Sequence, residues 1–228
     1  MERLVISIEG AISVGKTTLV NNIMTYCKLN NIPCIAAIEP IELWFSPYNL
    51  INEVECNTEL KPIVQLFIFH TLANRMNKIL DFKGIVIIER GVLTAMAQFC
   101  SDITDPKIRY MMEQIGSTDK LIDYYIPIDI SDESNKKNLL SRFESGERNE
   151  EFCNMDLETK ISYNHYITNN LNKFLSHEDK KRILRFDFDN YNDSFNTITK
   201  LINSKNLKLT YIKVVINYFR NFIFRLFK

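Results

Sequence analysis

The stretch IEGAISVGKTT, Ile8 to Thr18, decides how this chain is read. Gly10 is followed after four residues by Gly15-Lys16-Thr17, a full match to the GxxxxGK[ST] pattern. Leu4-Val5-Ile6-Ser7-Ile8 before it reads as a short buried strand. Thr17 to Leu29 after it has helical spacing, with Leu19, Ile23 and Cys27 on one face. Between a strand and a helix, such a loop folds tightly and turns backbone N–H groups inward. Gly10, Ala11, Ile12, Ser13, Val14, Gly15, Lys16, Thr17 and Thr18 are the residues expected to cradle phosphate oxygens. The helix N-terminus adds the positive end of its dipole. Lys16 can reach the β- and γ-phosphates, and the Thr17 hydroxyl can ligate Mg²⁺. The expected ligand is ATP or a relative. ATPases, GTPases and kinases all use this loop, so it does not name the acceptor; a chance match in an ordinary turn is the bland alternative.

Outward from the loop, the pattern repeats. Cys34 to Ile38 reads as a second strand, stopped by Glu39-Pro40. Gly84-Ile85-Val86-Ile87-Ile88 is the most β-like run and leads straight into Glu89-Arg90. Leu121 to Ile130 and Ile183 to Phe188 give a fourth and a fifth strand. Pro62 to Leu80 reads as a long apolar helix, and helical patterns fill the other intervals. Strands alternating with helices imply an α/β fold with a mostly parallel sheet, which binds ligands at the carboxyl ends of its strands. The glycine loop, Glu39 and Glu89 each follow a strand and so converge on one edge. Ser131 to Asp156 is polar and charge-rich and reads as a mobile flap.

Bulk properties narrow the class. A chain of 228 residues supports one sizeable core. Lys+Arg and Asp+Glu balance at 28 each, which argues against a nucleic-acid-binding scaffold. The five cysteines are odd in number and lack CxxC spacing, so they read as reduced thiols of a cytoplasmic protein. No signal peptide is expected from Val5-Ile6-Ser7-Ile8, which is too short for one, and no uncharged apolar run reaches the ~20 residues needed to span a membrane.

A carboxylate at a strand end facing a phosphate loop can take the proton of an attacking hydroxyl or hold Mg²⁺. Arg90 could steady a carboxylate or the acceptor oxygen. In order, the segments IEG…GKTT, EPIELW, VQLFIF, ERG and RNEE resemble the deoxyribonucleoside kinase family, from about Val5 to Tyr166. The resemblance implies a three-layer P-loop kinase fold with a central parallel five-stranded sheet flanked by helices. It implies ATP and Mg²⁺ as cofactors and a deoxynucleoside as acceptor. It makes Glu39 the general base on the 5′-hydroxyl, Glu89 a Mg²⁺ ligand beside Thr17, and Arg90 the partner of the 5′-oxygen and of Glu39. Trp44 and Phe99 would wall and stack on the base, Gln65 would read its edge, and Glu151 would hold the sugar 3′-hydroxyl. Arg142 and Arg148 would reach the ATP phosphates from a lid over 142–156. Each of these side chains also has a bland reading, as core aromatic or solvated charge.

Several positions depart from the family pattern. Ser13-Val14 replaces Gly-Ser or Ala-Ala, Gly91 replaces Ser, and Gly146 stands where a lid arginine is expected. No tyrosine for the 3′-hydroxyl is evident, since Val54 or Glu55 falls there. Leu72 and Ala95 occupy positions where cytosine- and purine-preferring members carry Arg and Asp. An apolar pair leaves room for a 5-methyl group, which implies thymidine, with deoxycytidine, as acceptors. A nucleoside monophosphate kinase, or a weakly active or inactive nucleotide-binding relative, are the alternatives. The former would want cations for an acceptor phosphate, whereas Glu39-Pro40 suits a hydroxyl.

The kinase domain is expected over 1–205, leaving 206–228 as a C-terminal helix. At ~100° per residue, Lys213, Asn217, Arg220, Asn221, Arg225 and Lys228 share one face, opposite a broad apolar face, with Val214 and Phe224 on the polar side. That pattern fits a helix packed on its own domain or partner, or one lying on an anionic membrane surface. The apolar helix Pro62 to Leu80 and the family resemblance imply a homodimer.

Overall fold

A computed structural model describes residues 3–38, 79, 81–99, 121–144 and 157–205. The strands are β1 (Leu4–Glu9), β2 (Cys34–Ala37), β3 (Ile85–Glu89), β4 (Tyr124–Asp129) and β5 (Phe186–Asp187). They form one sheet in the order β2-β3-β1-β4-β5, and every pairing is parallel. β1 and β3 are buried at every position, as expected of strands covered on both faces. Their β-branched content suits that environment. The register sets Leu4 opposite Ile85 and Ile8 opposite Glu89. The carboxyl end of β3 therefore lies beside the start of the glycine loop.

The helices are α1 (Lys16–Leu29), α2 (Val92–Phe99), α3 (Asp132–Glu144), α4 (Leu157–Leu175) and α5 over 191–205. Right-handed crossovers put α1, on the way from β1 out to β2, on one face of the sheet. They put α2, α3 and α4, on the way back from β3 through β4 to β5, on the other. Observed packing agrees: α1 lies against β2 and β3, while α4 covers α2 and α3. α5 joins the α1 face through an aromatic ladder in which Phe195 meets Tyr26 edge-on and stacks on Tyr191. Among the described residues, Cys27 and Cys34 are free thiols. The hydrogen bond with Cys27, and then burial, push the Cys34 thiol well above its ordinary range.

Three sequence expectations need correction. β4 begins at Tyr124 rather than Leu121, because Asp123 turns its carboxylate onto the Val5 N–H at 2.7 Å. β5 is shorter than expected: Ile183 forms only an isolated bridge to Tyr125 before the strand proper at Phe186. The polar stretch from Ser131 is not a flap over its first half. Residues 132–144 form α3, whose Asn135 and Leu139 are buried, since its asparagines are satisfied by the glycine loop rather than by water. The lid range 142–156 is described only at 142–144, and the helix expected at 62–80 lies outside the described residues apart from Ile79.

This packing sets a stability contrast. Ile6 in the central strand is fully buried, whereas Leu29 at the end of α1 is 77% exposed. Ile6→Ala is expected to cost about 2–5 kcal/mol in denaturant unfolding, and Leu29→Ala no more than about 0.5 kcal/mol.

Candidate active site

The glycine loop leaves β1 at Glu9 and enters α1 at Lys16, as the sequence pattern requires. Gly15 precedes the helix at φ 96°, and a Cβ there would stand 2.4 Å from the Phe188 ring. Both the backbone and the aromatic ring after β5 thus demand glycine. The Lys16 ammonium is buried and donates to the carbonyls of Gly10 at 3.1 Å and Ala11 at 2.5 Å. It is held across the mouth of the loop. Val14 is buried in the core and packs beside Gly10, so its β-branched side chain anchors the loop from below.

The far side of the loop is gripped by α3 and α4. The Asn164 amide meets the Ile12 peptide from both ends: Ile12 N–H donates to its Oδ1 at 3.1 Å, and its Nδ2 donates to Ile12 O at 2.8 Å. Asn135 Nδ2 donates to the same carbonyl at 3.3 Å, and Asn138 Nδ2 to Ser13 O at 3.1 Å. Arg142 Nη1 lies 3.5 Å from Ser13 Oγ, which brings this sequence-predicted arginine to the loop.

A second network joins the loop to the turn after β3. Glu9 is fully buried, and its carboxylate accepts from Ser7 Oγ at 2.6 Å, from Thr94 N–H at 2.9 Å and from the Thr94 hydroxyl. Thr94 Oγ1 in turn accepts from Gly10 N–H at 2.9 Å. With Gly10 donating to it, the Thr94 hydroxyl proton is directed at Glu9. A Cβ on Gly91 would run into Glu9 Oε1 and Ser7 Oγ, which accounts for glycine at this position. Arg90 sits at φ 53°, is 7% exposed, donates its N–H to Ile8 O at 3.0 Å, and bonds Gln98 Oε1 through Nη1 at 3.0 Å.

Beside these networks, the Thr17 hydroxyl donates to Glu89 Oε1. Two oxygen donors from opposite sides of the loop are in contact. Among the described residues there is no cluster of three His, Cys, Asp or Glu that could hold a metal ion. One hydroxyl and one carboxylate fit Mg²⁺, which keeps much of its shell for phosphate oxygens and water. These two residues could hold it. The geometry thus suits a donor phosphate chain laid over the loop, with an acceptor reaching it from the Glu89-Arg90 side.

Of the sequence-predicted acceptor residues, Ala95 is described and is buried at 1% exposure on α2. Phe99 closes α2, and its side chain lies outside the described part of the molecule, as do Glu39, Trp44, Gln65, Leu72, Arg148 and Glu151. Sequence reasoning missed Glu9, Thr94, Asn135, Asn138 and Asn164. Asn164 left a trace: it interrupts the apolar stripe Ile161, Ile167, Leu171, Phe174 of α4, where a polar residue must have a buried partner.

Comparison with known proteins follows the same lines. Residues 6–210 match the family model for deoxynucleoside kinases. Three solved structures share the fold. They are the deoxyadenosine kinase from M. mycoides with bound dCTP (17% identity, TM-score 0.59), with bound dATP (15%, 0.59), and with the products dCMP and a flexible dCDP (17%, 0.60). Each alignment covers 88% of this chain and 100% of the other. No curated protein matches by sequence. Because the family model spans nearly the whole chain, the chain belongs to the deoxynucleoside kinase family.

Proposed function

We propose that this protein transfers the γ-phosphoryl group of ATP to the 5′-hydroxyl of a pyrimidine deoxynucleoside, thymidine or deoxycytidine, in nucleotide salvage. The observation that carries this reading is the contact between Thr17 and Glu89, which ties the donor loop to the acceptor-side strand end. Bound there, Mg²⁺ would neutralise charge on the β- and γ-phosphates. Lys16, now bonded to loop carbonyls, would swing its ammonium to the donor phosphates and hold them in line. Glu39, two residues past the end of β2, would accept the proton of the 5′-hydroxyl. Arg90, anchored by Gln98 and by its own N–H on Ile8, would orient that oxygen and the base carboxylate. Arg142 and Arg148 would add charge from the lid side, and Trp44, Gln65, Phe99 and Glu151 would hold base and sugar.

The pyrimidine assignment rests on Leu72 and Ala95, an apolar pair that would leave room for a 5-methyl group, as in the thymidine-accepting members that the sequence resembles. The fold neighbours are named deoxyadenosine kinases, and one of their structures holds dCMP. A panel of the four deoxynucleosides with Mg·ATP, scored by monophosphate formation, tests the assignment directly; sole use of deoxyadenosine would overturn it. A homodimer and a cytoplasmic location complete the reading. Among the described residues no helix is long and apolar enough to cross a membrane.

Three outcomes are expected. Glu39→Gln lowers turnover by roughly 10²–10⁴ while ATP binding, measured by titration calorimetry, stays near wild type. Ala95→Val, which adds bulk without charge, lowers kcat/KM for thymidine about tenfold more than for deoxycytidine, because the 5-methyl group meets the new methyls. Equal losses on both would remove Ala95 from the base pocket. Truncation after Asn206 retains phosphorylation, since every proposed site residue precedes it. If residues 206–228 lie on membranes, the full chain alone sediments with phosphatidylserine vesicles, and salt releases it. If they pack on the protein, truncation instead lowers the melting temperature or splits the dimer.

A further inference from the structure

Ser13 is a non-glycine residue at φ 60° in the middle of the phosphate loop. An L-residue in that region is strained, and the strain persists only where the surroundings impose it. Glycine would take this shape without help; serine does not. Three asparagines of α3 and α4 impose it. Asn164 pairs with both the N–H and the carbonyl of Ile12, Asn135 adds a second donor to that carbonyl, and Asn138 holds the carbonyl of Ser13. Asn135 and Asn164 are buried at 4% exposure each, and Asn164 Nδ2 also donates to Asn135 Oδ1 at 2.8 Å, so the two amides lock each other's orientation. A network so fully satisfied is rigid.

We propose that Asn164 is a positioning residue for the phosphate donor: it holds the Ile12 peptide, and with Asn135 and Asn138 forces Ser13 into the left-handed conformation that points the loop's N–H groups at the phosphates. This rests on the reading that the loop binds ATP. It does not depend on which nucleoside accepts the phosphate. The loop's shape is imposed from α3 and α4, not encoded by glycine in the loop itself. Without the clamp, Ser13 relaxes to negative φ and the N–H groups lose their convergence.

The test reads ATP binding without an acceptor, by calorimetric titration of the whole protein with Mg·ATP. Asn164→Ala is expected to raise the ATP Kd about tenfold, the effect of leaving a buried peptide without its partners, with the KM of the accepted nucleoside within twofold of wild type. Asn170→Ala is the control. Asn170 is on the same helix and equally buried, and its amide donates to Ala97 O at 3.2 Å, away from the loop. It should lower the melting temperature comparably yet leave the ATP Kd within twofold. Adding Ser13→Gly to Asn164→Ala should recover most of the lost ATP affinity, because glycine accepts φ 60° unaided. Should Asn164→Ala fail to fold, Asn135→Ala replaces it, with an expected threefold rise in Kd and the same rescue by Ser13→Gly. ATP binding unchanged in the clamp variant, equal weakening in Asn170→Ala, or no rescue by Ser13→Gly would each overturn the proposal. Wild-type protein that binds Mg·ATP but phosphorylates neither pyrimidine nucleoside would overturn only the acceptor assignment.

Discussion

Parallel pairing of β1 with β3 is the constraint on which the site depends. It places Glu89 opposite Ile8, one residue before the buried Glu9 and two before Gly10. A one-residue slip in that ladder would turn Glu89 to the other face of the sheet and away from Thr17. Both strands are buried throughout, so this ladder lies wholly within the core. The chemistry at the strand ends is thus set by apolar packing beneath it. The same ladder explains how the Arg90 N–H reaches Ile8 O: the pairing continues for one residue past the strand as the chain begins to turn.

Above that apolar base the site is built from polar groups taken out of water, and they are tolerated because they are paired. Glu9 accepts three hydrogen bonds, and Asn164 uses both ends of its amide. A buried carboxylate or amide without partners would cost several kcal/mol, so these groups also report what surrounds them. Glu9 fixes the distance between the phosphate loop and α2 through Thr94; Asn164 fixes the distance between the loop and α4. Asn170 then ties α4 to α2 at Ala97. The loop is thus held to α2 and to α4 by separate buried hydrogen bonds, while the Asn170 bond joins the two helices away from it.

The sheet, its parallel sense and the donor loop were legible in the sequence because each rests on local pattern. Runs such as Ile85 to Ile88 announce buried strands, and Gly10 to Thr17 carries its loop shape in its own spacing. Glu89 and Thr17 could be placed together because both follow strands of one sheet. The asparagine clamp was not legible in that way. Asn164 lies 152 residues from Ile12, and no local rule pairs an asparagine with a distant peptide. The polar character of 132–144 pointed to a solvated flap, yet the same asparagines that lower its hydropathy are the ones that bond the loop. Composition measures how polar a segment is, not whether water or protein satisfies it.

Backbone strain separates the functional turns from the ordinary ones. Among the described residues, three that are not glycine have positive φ: Ser13, Asn31 and Arg90. Asn31 follows the end of α1, where asparagine closes a helix at little cost and its N–H bonds back to Lys28 O. Ser13 and Arg90 have no such local excuse, since neither side chain favours the left-handed region. Each is instead held from outside, Ser13 by Asn138 and the amides on its neighbour Ile12, Arg90 by Ile8 and Gln98. One sits in the glycine loop and the other directly after Glu89 at the carboxyl end of β3. Strain of this kind is stable only while the surrounding packing stays intact. The frame of β1, β3 and α4 is what keeps both turns in these conformations.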